Sequence, residues 1–127
     1  MNDKCLLDKN IVMDLIEKRP RLENIKSEVF SNFTEFYISS STFLTIFYLS
    51  RKLRMTKDEL FQEMKNFEIL AVAKDHCMEG LEMAKTAEDV EDCVEISIAS
   101  ENKLTFITAD QELREVYYKK CKMKVIV

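Results

Sequence analysis

Short apolar runs alternate with stretches of helical periodicity along this chain, and only one glycine (Gly80) and one proline (Pro20) stand among them. Tight hairpins between antiparallel strands draw on Gly and Asn for their left-handed positions, whereas parallel strands are joined by helical crossovers. A chain so poor in turn residues predicts an α/β fold with a central, mostly parallel five-stranded sheet flanked by helices. Lys4 to Leu7 reads as the first strand, and Ile11, Val12, Leu15 and Ile16 form the apolar stripe of a helix that stops before Arg19-Pro20. Pro20 suits the first turn of a second helix reaching Phe33, and Glu35 to Ser39 reads as the second strand. Ser40, Ser41 and Thr42 offer N-caps for a helix to Leu53, and Thr56 with Glu59 spells a capping box for a helix from Lys57 to Asn66. A strand at Phe67 to Ala73, helices at Asp75 to Lys85 and Val90 to Glu101, and a strand at Leu104 to Thr108 follow. A short helix from Gln111 to Tyr118 and an edge strand from Lys124 to Val127 complete the pattern.

At 127 residues and 46% hydrophobic, the chain is expected to be one domain over residues 1–127 with a single proper core. No apolar run approaches the roughly 18 residues of a membrane helix, and the opening Met-Asn-Asp-Lys-Cys-Leu-Leu-Asp lacks the apolar region of a secretory signal. Cys5, Cys77, Cys93 and Cys121 have no Cys-x-x-Cys spacing and read as buried thiols of a reducing cytoplasm. The single histidine, His76, reads as a helix surface residue and leaves a His-based zinc site or a Ser-His-Asp triad little to draw on. Any chemistry falls to carboxylates.

Asp8 follows the first strand, and Asp110 lies two residues past the strand ending at Thr108, which places both at the carboxyl edge where open parallel sheets bind ligands. Each also suits an N-cap, and Thr108 with Gln111 could form a capping box instead. Between Glu88 and Glu95 five acids open a helix, where the dipole favours them. On a helical wheel started at Val90, Glu91, Glu95 and Glu88 lie at roughly 100°, 140° and 160° and read as a solvated stripe. Asp89 and Asp92 lie at roughly 260° and 200°, on the side that turns apolar at Ile96 and Ala99. Like charges beside apolar surface need compensation, and carboxylates without histidine suit a hard cation, Mg2+ or Mn2+.

These residues carry a resemblance. Leu6-Leu7-Asp8-Lys9-Asn10-Ile11-Val12 resembles the opening of PIN-domain nucleases. Asp89-Val90-Glu91-Asp92-Cys93-Val94 resembles an Asp-Phe-Glu-Asp-Ala-Leu segment of one bacterial branch, and Ile107-Thr108-Ala109-Asp110-Gln111-Glu112-Leu113 is similar to the family's final Thr-x-Asp-x-Asp-Phe motif. The three segments occur in the family's order and span nearly the whole chain. By that resemblance Asp8, Asp92 and Asp110 would be catalytic metal ligands with Asp89 as an outer acid, and Asn10 and Thr108 would orient them. The implied activity is metal-assisted hydrolysis of RNA phosphodiesters without a covalent intermediate. The sequence departs from the pattern where the family commonly places a glutamate after the second strand, a position that falls on Thr45, and Glu112 and Leu113 replace the last acid and Phe.

A net charge of −4 gives no general attraction to RNA. Local cations stand at Arg19 and Arg21, at Arg51, Lys52, Arg54 and Lys57, and at Lys119, Lys120, Lys122 and Lys124. The last group reads as edge-strand protection, and Arg51, Lys52 and Arg54 are the expected phosphate contacts. Phe43, Leu44, Phe47, Tyr48 and Leu49 read first as a core helix and otherwise as a homodimer interface or a groove for an inhibitory protein. Met55, Met64, Met78 and Met83 read as gap-fillers. Three functions remain open: a VapC-like endoribonuclease, the toxin of a type II toxin/antitoxin pair; a catalytically degenerate PIN domain acting as a protein- or RNA-binding regulatory module; and, ranked last, a phosphoacceptor receiver, which would require paired acids where Asp8 is followed by Lys9.

Overall fold

In the computed structural model residues 3–127 are described, so the first two residues of the opening lie outside the described residues. Strands β1 (Lys4–Leu7), β2 (Glu35–Ser39), β3 (Phe67–Leu70), β4 (Thr105–Thr108) and β5 (Met123–Val125) form one sheet in the order β3-β2-β1-β4-β5, and every pair is parallel. The chain lays down β1, β2 and β3 in one direction and then crosses back to place β4 on the other side of β1. Strand order therefore reverses between β1 and β4, the place where a crevice opens at the carboxyl edge of such a sheet.

The helices are α1 (Lys9–Glu17), α2 (Leu22–Ile25), α3 (Ser40–Lys52), α4 (Lys57–Met64), α5 (Lys74–Met83), α6 (Val90–Glu101) and α7 (Gln111–Tyr117). Alternation along the strands separates two cores. Cys5, Leu7, Ile38 and Ile107 point to one face of the sheet and pack with Ile11, Val12, Ile25, Val29, Ile46 and Met64 of the first four helical segments. Leu6 and Phe106 point to the other and pack with Cys93, Ile96, Ala99, Leu113 and Tyr117. Each fully buried Leu or Ile contributes roughly 1.5–3 kcal/mol by leaving water, so both layers are needed to hold the central strands.

The Thr56–Glu59 capping box forms as its spacing demands, with Glu59 N–H donating to Thr56 Oγ1 (3.1 Å) and Thr56 N–H to Glu59 Oε1 (3.0 Å). Other expectations need correction. Pro20 does not open a long helix: α2 begins at Leu22, and Lys26–Phe30 continues it as a wider π turn. α1 ends because Lys18 adopts a left-handed conformation (φ 54°) and donates its N–H to Asp14 O. In a chain with one glycine, Lys18, Arg54 and Lys103 occupy such positions. α3 is no core helix on its outer side, where Leu44 (58% exposed), Phe47 (41%) and Tyr48 (67%) face solvent, because only its Ile46 side meets the sheet. Met78 is exposed rather than filling a gap. Of the cysteines, Cys5 and Cys93 are buried, Cys121 is intermediate and Cys77 is exposed, and all four are free. His76 ties two helices together, since its Nδ1 accepts the Ala73 N–H (2.9 Å) at the start of α5 and its Nε2 pairs with Glu101 at the end of α6.

α5 and α6 approach so closely that a Cβ on Gly80 would lie 2.6 Å from Val94 Cγ2 and 2.8 Å from the Val94 backbone nitrogen. A side chain can turn away, but backbone cannot. Gly80→Ala is expected to cost about 1–3 kcal/mol through overpacking, despite the better helix propensity of alanine, and to lower the urea midpoint of unfolding. An unchanged midpoint would mean that α5 is not seated on α6 in solution.

Candidate active site

The site begins with pairing at the reversal point. The β1–β4 register sets Leu7 beside Ile107, and Asp8 N–H extends the ladder to Ile107 O (2.9 Å). Asp8 therefore leaves β1 next to Thr108, whose Oγ1 donates to Asp8 Oδ2 (2.9 Å). Thr108 Oγ1 in turn accepts the Asp110 N–H (3.1 Å), so one hydroxyl holds the ends of both strands. Asp8 occupies the N-cap position of α1, and its carbonyl accepts from Ile11 and Val12, but its carboxylate makes no cap bond. Asp8 is 4% exposed. Asp110 does cap, accepting Leu113 N–H at Oδ1 (3.1 Å), so the Thr108–Gln111 capping box does not form.

Asp92 comes from the first turn of α6, half-buried. Burial pushes its carboxyl up to about 7, and the charges of Asp8, Glu91 and Asp110 push the same way. Asp8 is pushed up to about 6, chiefly by burial, with the Thr108 hydroxyl opposing and the Glu95 charge adding. Lys9 is close, but its Nζ is taken by Glu91 (2.5 Å) at the rim. Asp92 thus lies within range of the charges of Asp8 and Asp110 across the reversal point. Among the described residues no three acid, Cys or His side chains stand close enough together to enclose a metal ion.

The other residues singled out in the sequence are placed differently. Asp89 lies in the 3-10 turn before α6 (Ala87–Asp89), where its Oδ2 accepts from Tyr117 Oη (2.8 Å), whose oxygen also accepts the Lys85 N–H (3.0 Å). Asn10 is exposed on α1 and lines an open cleft together with Arg19, Arg21 and Asp110. Arg19 and Arg21 both pair with the buried Asp14, and Arg19 also pairs with Glu17. Arg51, Lys52 and Arg54 are exposed at the far end of α3, roughly 18 Å along the helix from Ser39 at 1.5 Å per residue. Thr45 donates its hydroxyl to Ser41 O (3.3 Å) within α3.

The expectation that Glu95 belongs to the solvated stripe is wrong. Glu95 is 5% exposed, and its Oε1 accepts from Ser39 Oγ (2.6 Å) and Thr42 Oγ1 (2.9 Å). Burial raises its pKa while those two hydroxyls oppose the shift. The wheel failed because it assumed one wet face, whereas from Glu95 to Ala99 every residue of α6 is buried. The signal was present in the run Ile96-Ser97-Ile98-Ala99, which has no charge on any side.

A family model described as PIN domain matches residues 5–119 of the chain. No curated protein matches the sequence significantly. Among solved structures, a toxin-antitoxin complex from Klebsiella pneumoniae contains a chain with TM-score 0.78 and 16% identity, the match covering 97% of this chain and 98% of that one. VapBC2 from Rickettsia felis, bound to a DNA fragment from their promoter, gives TM-score 0.68 at 16% identity, covering 96% and 98%. FitAB bound to an IR36 DNA fragment gives 0.64 at 15%, covering 95% and 94%. At such identities these likenesses concern the fold.

The crowded acids have a consequence for stability. In the metal-free chain Asp8 and Asp92 hold their protons up to about 6 and about 7, against 3.8 for an ordinary aspartate. Between those limits the folded state binds more protons than the unfolded one, so stability falls as pH rises. In EDTA, the urea midpoint is expected to be lower at pH 7.5 than at pH 5, and Asp92→Asn should shrink that difference. Equal midpoints in the wild type would show that the carboxylates carry no such burden.

Proposed function

The chain belongs to the PIN domain family, and from that premise we propose that it is a metal-dependent endoribonuclease, a VapC-like toxin of a type II toxin/antitoxin pair. The observation that carries the reading is the buried carboxylate of Asp8, fixed by Thr108 at the reversal of strand order, together with Asp92, whose carboxyl is raised by burial and then by the Asp8 charge. Acids arranged so are destabilising on their own account and acquire a purpose when a divalent cation offsets them. The donor set is all oxygen and suits Mg2+ or Mn2+. Asp8, Asp92 and Asp110 would hold the ion, and Asp89, tied to Tyr117, would position the first turn of α6.

With a divalent ion held by those acids, the site would gain an activated water and a positive charge to offset the one that builds on phosphorus. The chain's own groups do the rest. Thr108 keeps Asp8 turned to the crevice and ties Asp110 to it, which spares the site reorganisation when substrate arrives. Lys9 and the cleft cations Arg19 and Arg21 are nearer the acids than Arg51, Lys52 and Arg54, so the first contacts of an RNA backbone fall to them and the α3 end serves a more distant stretch. The exposed Leu44, Phe47 and Tyr48 on α3 offer a surface for a homodimer or an antitoxin. A protein partner is favoured because the first two structural neighbours are described as a toxin-antitoxin complex and as VapBC2. The four free thiols support a cytoplasmic setting.

The test is to incubate wild type, Asp92→Asn and Asp8→Asn with a mixed RNA in Mn2+, with and without EDTA. Wild type is expected to cleave, and EDTA or either substitution to lower the rate at least 100-fold. Intact RNA with wild type at millimolar Mn2+ would overturn the nuclease reading and leave a degenerate PIN domain acting through binding, to which Thr45 at the expected glutamate position already points.

A further inference from the structure

Two buried side-chain polar atoms among the described residues lack a hydrogen-bond partner, Ser97 Oγ and Glu95 Oε2, and only the second carries charge. A carboxylate oxygen shut away from water and left unpaired costs more than any other orphaned group in this core. The other oxygen of Glu95 is fully used by Ser39 Oγ and Thr42 Oγ1, which fix the carboxylate at the N-terminus of α3. Capping does not require it there. Ser39 Oγ already accepts the Thr42 N–H (3.1 Å) and completes the cap of α3 by itself.

The placement is informative. Ser39 ends β2, and the β1–β2 register, Leu6 beside Tyr37, carries Asp8 to the level of Ser39 on the adjoining strand. The Glu95 carboxylate therefore lies over the carboxyl ends of β1 and β2, where Asp8 feels its charge and it feels that of Asp92 one turn earlier on α6. α3 brings no acid to this edge, since none occurs between Ser40 and Lys52. The hydrogen-bond partners of Glu95 are two neutral hydroxyls, and the nearby Lys9 is paired to Glu91.

We propose that Glu95 is a ligand of the catalytic cation, its unpaired Oε2 entering the coordination sphere shared with Asp8 and Asp92, so that α6 supplies the acid that α3 lacks. This rests on the cation reading of the site. Asp92 and Glu95 are three residues apart on one helix, a spacing that presents two side chains to the same neighbour. Ser39 and Thr42 act as positioning residues that hold the second oxygen and thereby aim the first.

The test measures metal uptake, apart from RNA cleavage. Mn2+ is titrated by calorimetry into wild type and Glu95→Gln, whose amide oxygen can still accept from Ser39 and Thr42. Glu95→Gln is expected to bind Mn2+ at least tenfold more weakly, yet to melt in EDTA no lower than wild type because a buried charge is gone. Glu95→Gln binding Mn2+ as wild type does would overturn the proposal and leave the nuclease reading standing. Wild type taking up no Mn2+ would overturn both. In wild type labelled with 13C at both aspartate and glutamate carboxyls, which does not depend on the variant folding, the Glu95 carboxyl resonance is expected to shift on adding Mg2+. A Glu95 resonance that stays still while Asp8 and Asp92 respond would sink the assignment.

Discussion

The hydroxyl of Thr108 joins three requirements of this molecule in one place. It donates to Asp8, accepts from the backbone of Asp110, and sits in β4 directly beside the end of β1, where strand order reverses. Without the β1–β4 pairing the two aspartates would belong to unrelated loops. With it, they stand at neighbouring strand ends, and the helix that follows each begins at the same edge. The two apolar layers hold that pairing in place, Leu7 and Ile107 on one side of the sheet, Leu6 and Phe106 on the other.

Around that anchor the protein gathers negative charge in a poorly solvated crevice. Burial and mutual repulsion raise Asp8, Asp92 and Glu95 together, and the local hydrogen bonds from Thr108, Ser39 and Thr42 offset only part of this. Such an arrangement works against folding. Its position at the carboxyl edge, where an open parallel sheet presents a crevice, is what supports the proposed cation. Elsewhere the chain neutralises its buried acids. Asp14, 2% exposed, is paired to both Arg19 and Arg21. The contrast separates an acid paired to two arginines from Asp8 and Glu95, to which hydroxyls donate.

Much of the fold was legible in the order of residues because short-range rules decide it. The scarcity of glycine and proline excluded hairpins, and the apolar periodicities gave all five strands in sequence order. Thr56 and Glu59 spelled a capping box that forms, and Asp8 and Asp110 fell at strand ends. Where the reading went wrong, an element had more or fewer packed sides than periodicity assumes. α3 is covered on one side and leaves Leu44, Phe47 and Tyr48 outside, whereas α6 is enclosed all round from Glu95 to Ala99 and takes a charged side chain inside.

The sequence by itself determined the alternation of strands and helices, the parallel sheet, and the presence of acids at its carboxyl edge, since each follows from local periodicity and from turn residues that are absent. Only the tertiary structure decided which acids meet. Asp92 comes within range of the Asp8 charge while Asp89 is bonded to Tyr117, and Arg19 and Arg21, rather than the cations ending α3, line the cleft. Glu95 reaches from α6 to the hydroxyls of Ser39 and Thr42, 56 and 53 residues away in the chain. Those choices depend on how helices rotate and crowd against a sheet, a matter of long-range packing that no window of neighbouring residues contains.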